Sequence, residues 1–191
     1  MELSKEQQIA FDKYVQGHNI FITGPGGTGK SALIKYIQRD AVNRGKYIQV
    51  CALTGCAAVL LECKAKTIHS WSGIGLGKGA IEQLIKKVNK NKHSKALWKE
   101  TDILVIDEVS MVRADLLDAV DAALRSFGPK RDTPFGGVQM IFVGDPYQLP
   151  PVVIGQEEEF FRSRYATSFF FSADCLRVFE YEIVELEKIY R

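Results

Sequence analysis

No C-x-x-C pair joins Cys51, Cys56, Cys63 and Cys175, the only cysteines in these 191 residues. A chain this long needs no disulfide staples, so reduced thiols in a reducing compartment are expected and a cysteine metal site is not. No apolar run approaches the ~18 residues that span a bilayer, which excludes a membrane partner of that kind. Residues 1–6 are polar, with no apolar signal core, so an intracellular protein is expected; nucleus, mitochondrion and prokaryotic or viral cytoplasm read alike. The formal charge is only +2, so no strong overall field draws in nucleic acid and any basic surface must be local. Internal repeats and low-complexity tracts are also missing.

What is present suits one globular core. Hydrophobic residues make up 46% and charged residues 25%, and a chain of this size buries roughly 70% of its unfolded surface. Strands are expected at 20–22, 47–52, 103–106, 138–143 and 181–184. Two of these are nearly continuous apolar runs, as strands covered on both faces are. Ser4 and Gln7 have capping-box spacing for a helix over 5–15, with Ile9, Phe11 and Val15 as its apolar contacts. Residues 114–127 form another helix, with Leu116, Leu117, Val120 and Leu124 on one stripe. Strands alternating with helices predict an α/β fold with a central, mainly parallel sheet. The least regular stretch, 72–99, reads as an insertion: glycines precede an amphipathic helix at 80–91, and seven lysines face one acid, Glu82, between Lys78 and Lys99. Leu97 and Trp98 would anchor it. Gly, Pro and charge at 128–137 predict a flexible loop.

The chemistry starts at Gly24-Pro25-Gly26-Gly27-Thr28-Gly29-Lys30-Ser31, directly after the run Ile20-Phe21-Ile22. This is the G-x-x-x-x-G-K-[ST] phosphate loop. Its glycines turn consecutive N–H groups toward phosphate oxygens, Lys30 reaches the β- and γ-phosphates, and Ser31 ligates Mg²⁺ at the start of a helix. ATP and Mg²⁺ are therefore the expected ligands. A second buried run, 103–106, ends in Asp107-Glu108, the edge at which an α/β sheet presents ligand groups. Asp107 suits Mg²⁺, and Glu108 suits the activation of an attacking water. A third run, 138–143, ends in Gly144-Asp145-Pro146-Tyr147-Gln148, whose amide is placed to sense the γ-phosphate.

These motifs, together with Thr54-Gly55-Cys56-Ala57-Ala58, Thr67-Ile68-His69-Ser70-Trp71, Phe135-Gly136-Gly137 and Gln148-Leu149-Pro150-Pro151, resemble the Pif-type DNA helicases. That family lies in the 5′-to-3′ branch of helicase superfamily one, alongside RecD-like enzymes. The resemblance covers almost the whole chain and implies a RecA-like core at 1–71 and 100–191, with an inserted, wedge-like subdomain at 72–99. It implies that Gln7 reads the adenine edge, although Gln7 equally suits the capping box, and that Arg191 contacts the γ-phosphate. Thr54, Gly55, His69, Ser70 and Trp71 match segments lining the path of single-stranded DNA; Trp71 suits either base stacking or core packing. Pro146-Tyr147 departs from the two aromatics usual in the Pif branch.

The implied activity is an ATP-driven, 5′-to-3′ motor, monomeric, acting on single-stranded DNA and DNA forks in replication, repair, recombination and telomere maintenance. Its second RecA-like core, with the arginine finger, lies beyond Arg191, so this stretch alone is expected to hydrolyse ATP very slowly. The alternative is a stand-alone P-loop ATPase switch that controls a protein partner.

Overall fold

In the computed structural model, which describes residues 2–74 and 92–190, six strands form one sheet: β1 (Ile20–Thr23), β2 (Ile48–Ala52), β3 (Lys66–Thr67), β4 (Ile103–Ile106), β5 (Gln139–Val143) and β6 (Glu182–Glu185). Their spatial order is β3-β2-β4-β5-β1-β6, and every pairing is parallel. All strand C-termini therefore emerge at one edge. Parallel neighbours need crossovers, and the helices α1 (Lys5–Val15), α2 (Lys30–Asn43), α3 (Gly55–Leu60), α4 (Ile68–Ser72), α5 (Lys92–Glu100), α6 (Ala114–Phe127) and α7 (Gln156–Arg164) cover the faces.

Two cores follow from this layering. In β4 all four residues are buried. Leu104 and Ile106 join the cluster under α6, whereas Ile103 and Val105 join the cluster under α1 and α2. With both faces covered, the period-2 alternation of a half-exposed strand disappears, and the sequence reads as a continuous apolar run. The short edge strand β3 carried no such signal. The α6 stripe of Leu116, Leu117, Val120 and Leu124 is buried as its spacing requires.

Helix α1 corrects one expectation. Its capping box is present, with Ser4 Oγ accepting from the Gln7 N–H at 3.2 Å and Gln7 Oε1 accepting from the Ser4 N–H at 3.0 Å. Phe11 packs against the core as expected, against Tyr14 and Tyr36, but the fully buried face is Gln7, Ala10 and Tyr14, and Ile9 and Val15 are exposed. Ala10 permits close approach, and the Tyr14 hydroxyl donates to Asp40 of α2 at 2.9 Å.

The stretch 128–137 is a folded turn. Phe135 is fully buried, its N–H donates to the buried Asp121 carboxylate at 2.7 Å, and the Lys130 N–H donates to the Gly136 carbonyl at 2.8 Å. A Cβ on Gly136 would lie 2.4 Å from the Leu124 carbonyl oxygen, and its φ is +62°, so Phe135-Gly136-Gly137 is a packing motif against the end of α6. Leu97 and Trp98 do anchor α5 to the core. The lysine-rich helix expected at 80–91 lies outside the described residues.

Candidate nucleotide and nucleic-acid site

The phosphate loop connects β1 to α2 at the C-terminal edge of the sheet. Gly24, Gly27 and Gly29 have φ of 137°, 84° and 82°, values that L side chains rarely adopt. Space is as restrictive as torsion: a Cβ on Gly24 would lie 2.3 Å from the Leu186 carbonyl oxygen, and one on Gly29 would lie 2.6 Å from Gln7 Nε2. Pro25 and Gly26 are exposed at the tip, and the buried Thr28 donates its hydroxyl to the Pro25 carbonyl at 2.9 Å. Lys30 opens α2, and its Nζ donates to the Gly24 and Pro25 carbonyls at 2.6 and 3.0 Å. Ser31, beside it, is exposed.

Gln7 belongs to the loop as well as to the cap. Its Nε2 donates to the Thr28 carbonyl at 3.2 Å while its Oε1 completes the capping box, so one side chain serves both ends. Sequence reading missed a strap completing this wall. The Leu186 N–H donates to the Thr23 carbonyl at 2.8 Å, the Tyr190 N–H donates to Gly27 at 2.9 Å, and the Tyr190 hydroxyl lies 3.5 Å from Gln7 Oε1. The aromatic before Arg191 was the available signal. Arg191 itself lies outside the described residues.

Asp107 follows β4 and is 6% exposed. Burial pushes its carboxyl up to about 6, with the neighbouring Glu108 charge adding to this and the Glu108 backbone N–H and the Lys30 charge opposing it. A Ser31 hydroxyl and an Asp107 carboxylate are hard oxygen donors suited to Mg²⁺, which takes few protein ligands when phosphates supply others. Among the described residues no cluster of three or more His, Cys, Asp or Glu side chains forms a separate metal cage.

Glu108 sits at φ 54°, ψ 41°, left-handed torsions that cost a side-chain-bearing residue ~1–2 kcal/mol. The strain turns the chain sharply off β4. Replacing Glu108 by Gly should therefore raise stability by ~0.5–1 kcal/mol, seen as a melting point ~1–4 °C higher, while removing the carboxylate. A lower melting point would show that Glu108 makes a compensating contact.

Asp107 gives a pH signature. Its folded-state pKa of about 6 lies above the ordinary 3.8, so the folded protein holds this proton more tightly than the unfolded chain. The penalty is absent below pH 3.8, grows up to pH 6 and is constant above. Its full size is roughly 2–3 kcal/mol. Asp107→Asn should flatten this part of the denaturation-midpoint profile, and an unchanged profile would contradict the assignment.

After β5, the buried Asp145 organises the third motif: its carboxylate accepts from the Tyr147 N–H at 3.0 Å and from Gln148 Nε2 at 3.2 Å. Gln148 is exposed. The Gly144 N–H donates to the Ile22 carbonyl at 3.1 Å, and a Cβ on Gly144 would lie 3.0 Å from Val109 N. The segments bearing Gln148, Glu108 and Lys30 thus converge on one rim.

The residues matched to a DNA path occupy the β2–β3 end of that rim. Thr54 and Gly55 are exposed, with Thr54 Oγ1 accepting from the Ala57 N–H at 3.2 Å. Ser70 is exposed, and its N–H donates to Thr67 Oγ1 at 3.1 Å. His69 is half-buried, and burial lowers its pKa, which makes it a neutral hydrogen-bonding group. Trp71 requires a correction: it is fully buried and stacks on Trp98 with centroids 5.1 Å apart and planes 3° from parallel. No face of that ring is open to a base.

A parallel sheet with a glycine loop at a helix start, two acids after the neighbouring strand and an amide after the next defines a RecA-like P-loop nucleotide-binding core. The PIF1-like helicase family model matches residues 2–185. The chain belongs to the PIF1-like helicases. It is 46% identical over 154 residues to the ATP-dependent DNA helicase PIF1 of Saccharomyces cerevisiae, covering 78% of this chain and 17% of that protein. The crystal structure of Pif1 helicase from Candida albicans aligns with TM-score 0.87 and 36% identity, covering all of this chain and 41% of that one. Pif1 from Bacteroides, in complex with ADP-AlF3 and single-stranded DNA, aligns with TM-score 0.82 and 35% identity over all of this chain and 43% of that one. The chain thus spans about a sixth of the yeast relative's length.

Proposed function

We propose that this chain is the ATP-binding motor core of an ATP-dependent DNA helicase that moves 5′ to 3′ along single-stranded DNA. The observation that carries the reading is the gathering of Lys30, Ser31, Asp107, Glu108 and Gln148 at one sheet edge that continues into the exposed Thr54, Gly55 and Ser70. The Bacteroides relative was solved with ADP-AlF3 and single-stranded DNA together, which supports a nucleotide and single-stranded DNA as this chain's two ligands. The four cysteines are free, in keeping with a reducing, intracellular setting.

Each residue has a definable task. Backbone N–H groups of 24–29 cradle phosphate, and Lys30 exchanges its carbonyl partners for phosphate oxygens. Ser31 and Asp107 hold Mg²⁺, which when bound neutralises phosphate charge. Glu108 accepts the proton of the attacking water, held in line by the strained turn. Gln148 can trade its Asp145 bond for phosphate or water, so its bonding reports the nucleotide state to Asp145 and the segment behind it. Thr54, Gly55, His69 and Ser70 offer hydroxyl, N–H and neutral imidazole groups that contact a DNA backbone without reading sequence.

Hydrolysis needs an arginine from a second RecA-like core, a contribution worth ~10³–10⁵ in rate in related phosphoryl transfers. Arg191 is the candidate γ-phosphate contact within this chain, and 72–99 is the candidate wedge. The 191-residue monomer should accordingly bind Mg-nucleotide weakly, turn over very slowly and unwind no forks. Titrating fluorescent oligo-dT with and without a non-hydrolysable ATP analogue tests the reading. Nucleotide-linked affinity is expected; DNA affinity that ignores nucleotide, or robust DNA-stimulated hydrolysis by the isolated monomer, would sink it. Family membership leaves the stand-alone switch without a supporting observation.

A further inference from the structure

Two adjoining grooves lie at the N-terminal ends of the strands, on the sheet edge opposite the phosphate loop. One, of about 490 Å³, is lined in part by Arg44, Lys46 and Lys130. The other, of about 460 Å³, is lined in part by Lys95, Lys99 and Arg131, and the two share Pro129. The single acid in either lining is Asp102, whose carboxylate already accepts the Tyr47 N–H at 2.8 Å. Arg44 is paired with Asp40 at 2.6 Å, and Lys95 lies over the Phe127 ring at 5.2 Å. Lys46, Lys99, Lys130 and Arg131 are exposed. Asp40 neutralises Arg44, and the exposed Glu100 and Asp132 follow Lys99 and Arg131 in the chain, so the excess of cations belongs to the groove linings themselves, in a chain of net charge +2.

We propose that this face binds the phosphodiester backbone of duplex DNA, as a contact separate from the nucleotide rim. The inference rests on the helicase reading given above. The chemistry favours a duplex over a single strand. Single-strand grooves pair cations with exposed aromatic platforms on which bases stack; here Tyr14 is buried and Phe127 is covered by Lys95. The groove linings offer flexible ammonium and guanidinium groups without an open aromatic among them, and the one exposed ring beside them, Tyr47, is too little for a run of stacked bases, which suits phosphates that carry no sequence information. Lying at the opposite end of the strands from Lys30, it can hold DNA while the nucleotide site changes state.

The test uses fluorescence anisotropy with the nucleotide-free 191-residue chain, a blunt duplex of about 20 base pairs and an oligo-dT of the same length, over a salt series. The triple variant Lys99→Gln/Lys130→Gln/Arg131→Gln should bind the duplex about 10-fold more weakly near 0.1 M salt, with a log–log salt slope shallower by about 2–3, because each lost phosphate contact removes ~0.9. Oligo-dT affinity should stay within about twofold. Lys130→Gln alone should lower the slope by about 1, which keeps the test intact if the triple variant folds poorly. An unchanged duplex slope, or an equal loss on both DNAs, overturns the proposal. If the wild-type chain binds no duplex, the inference falls, while the helicase reading is decided separately by the nucleotide-linked oligo-dT titration.

Discussion

Lys30→Ala should weaken binding of a Mg-ATP analogue roughly 10- to 150-fold while moving the melting point by less than about 2 °C, because a charge-assisted phosphate contact is worth ~1.5–3 kcal/mol. The split follows from the geometry. Among the described residues Lys30 Nζ bonds only the loop's own carbonyls, Gly24 and Pro25, and such bonds contribute little net stability because water replaces them. On phosphate, the ammonium meets multiple negative charge beside α2's N-terminus, where nothing of equal charge can replace it. Lys30→Arg should recover little, since a planar fork cannot fit where a compact point charge folds back over a tight loop. A fluorescent-nucleotide titration checks this, and an affinity within threefold of wild type would remove Lys30 from the phosphate site.

Trp71→Ala should destabilise the fold by ~3–5 kcal/mol, lowering the melting point by about 6–20 °C. Trp71 fills the core beside Trp98, and truncation leaves a cavity whose walls, α4 and α5, are fixed by their own packing. Trp71→Phe should cost much less. Both indole N–H groups are buried without a hydrogen-bond partner among the described residues, so phenylalanine loses area but also removes an unsatisfied donor. This variant also separates the two roles open to Trp71. A packing residue leaves oligo-dT affinity nearly unchanged, whereas a base-stacking residue loses ~1–3 kcal/mol per base. A folded Trp71→Phe protein with tenfold weaker oligo-dT binding would restore the stacking role.

Much of the fold was legible because its signals are local. The β4 run, the α6 stripe and the Ser4–Gln7 capping box each depend on residues within a few positions, and each appears where its pattern places it. The phosphate loop was legible because only glycine tolerates its torsions and clearances. The failures were non-local. Nothing near Ile9 or Val15 reveals that α1 turns Ala10 and Tyr14 inward, since that depends on partners across the interface, Tyr36 and Asp40 of α2 among them. Composition suggested a loose loop at 128–137, but Asp121 and Leu124, earlier in the chain, hold it.

By itself the sequence determined the alternation of strands and helices and the chemical identity of the nucleotide-binding groups, because periodicity and side-chain chemistry are properties of short segments. Only the tertiary structure decided that Gln7 and Tyr190 wall the loop, that Asp145 holds Gln148, that Trp71 belongs to the core and that cations from three separate segments collect at the far edge. These are contacts between residues far apart along the chain, and their geometry exists only once the parallel sheet has aligned its strand ends.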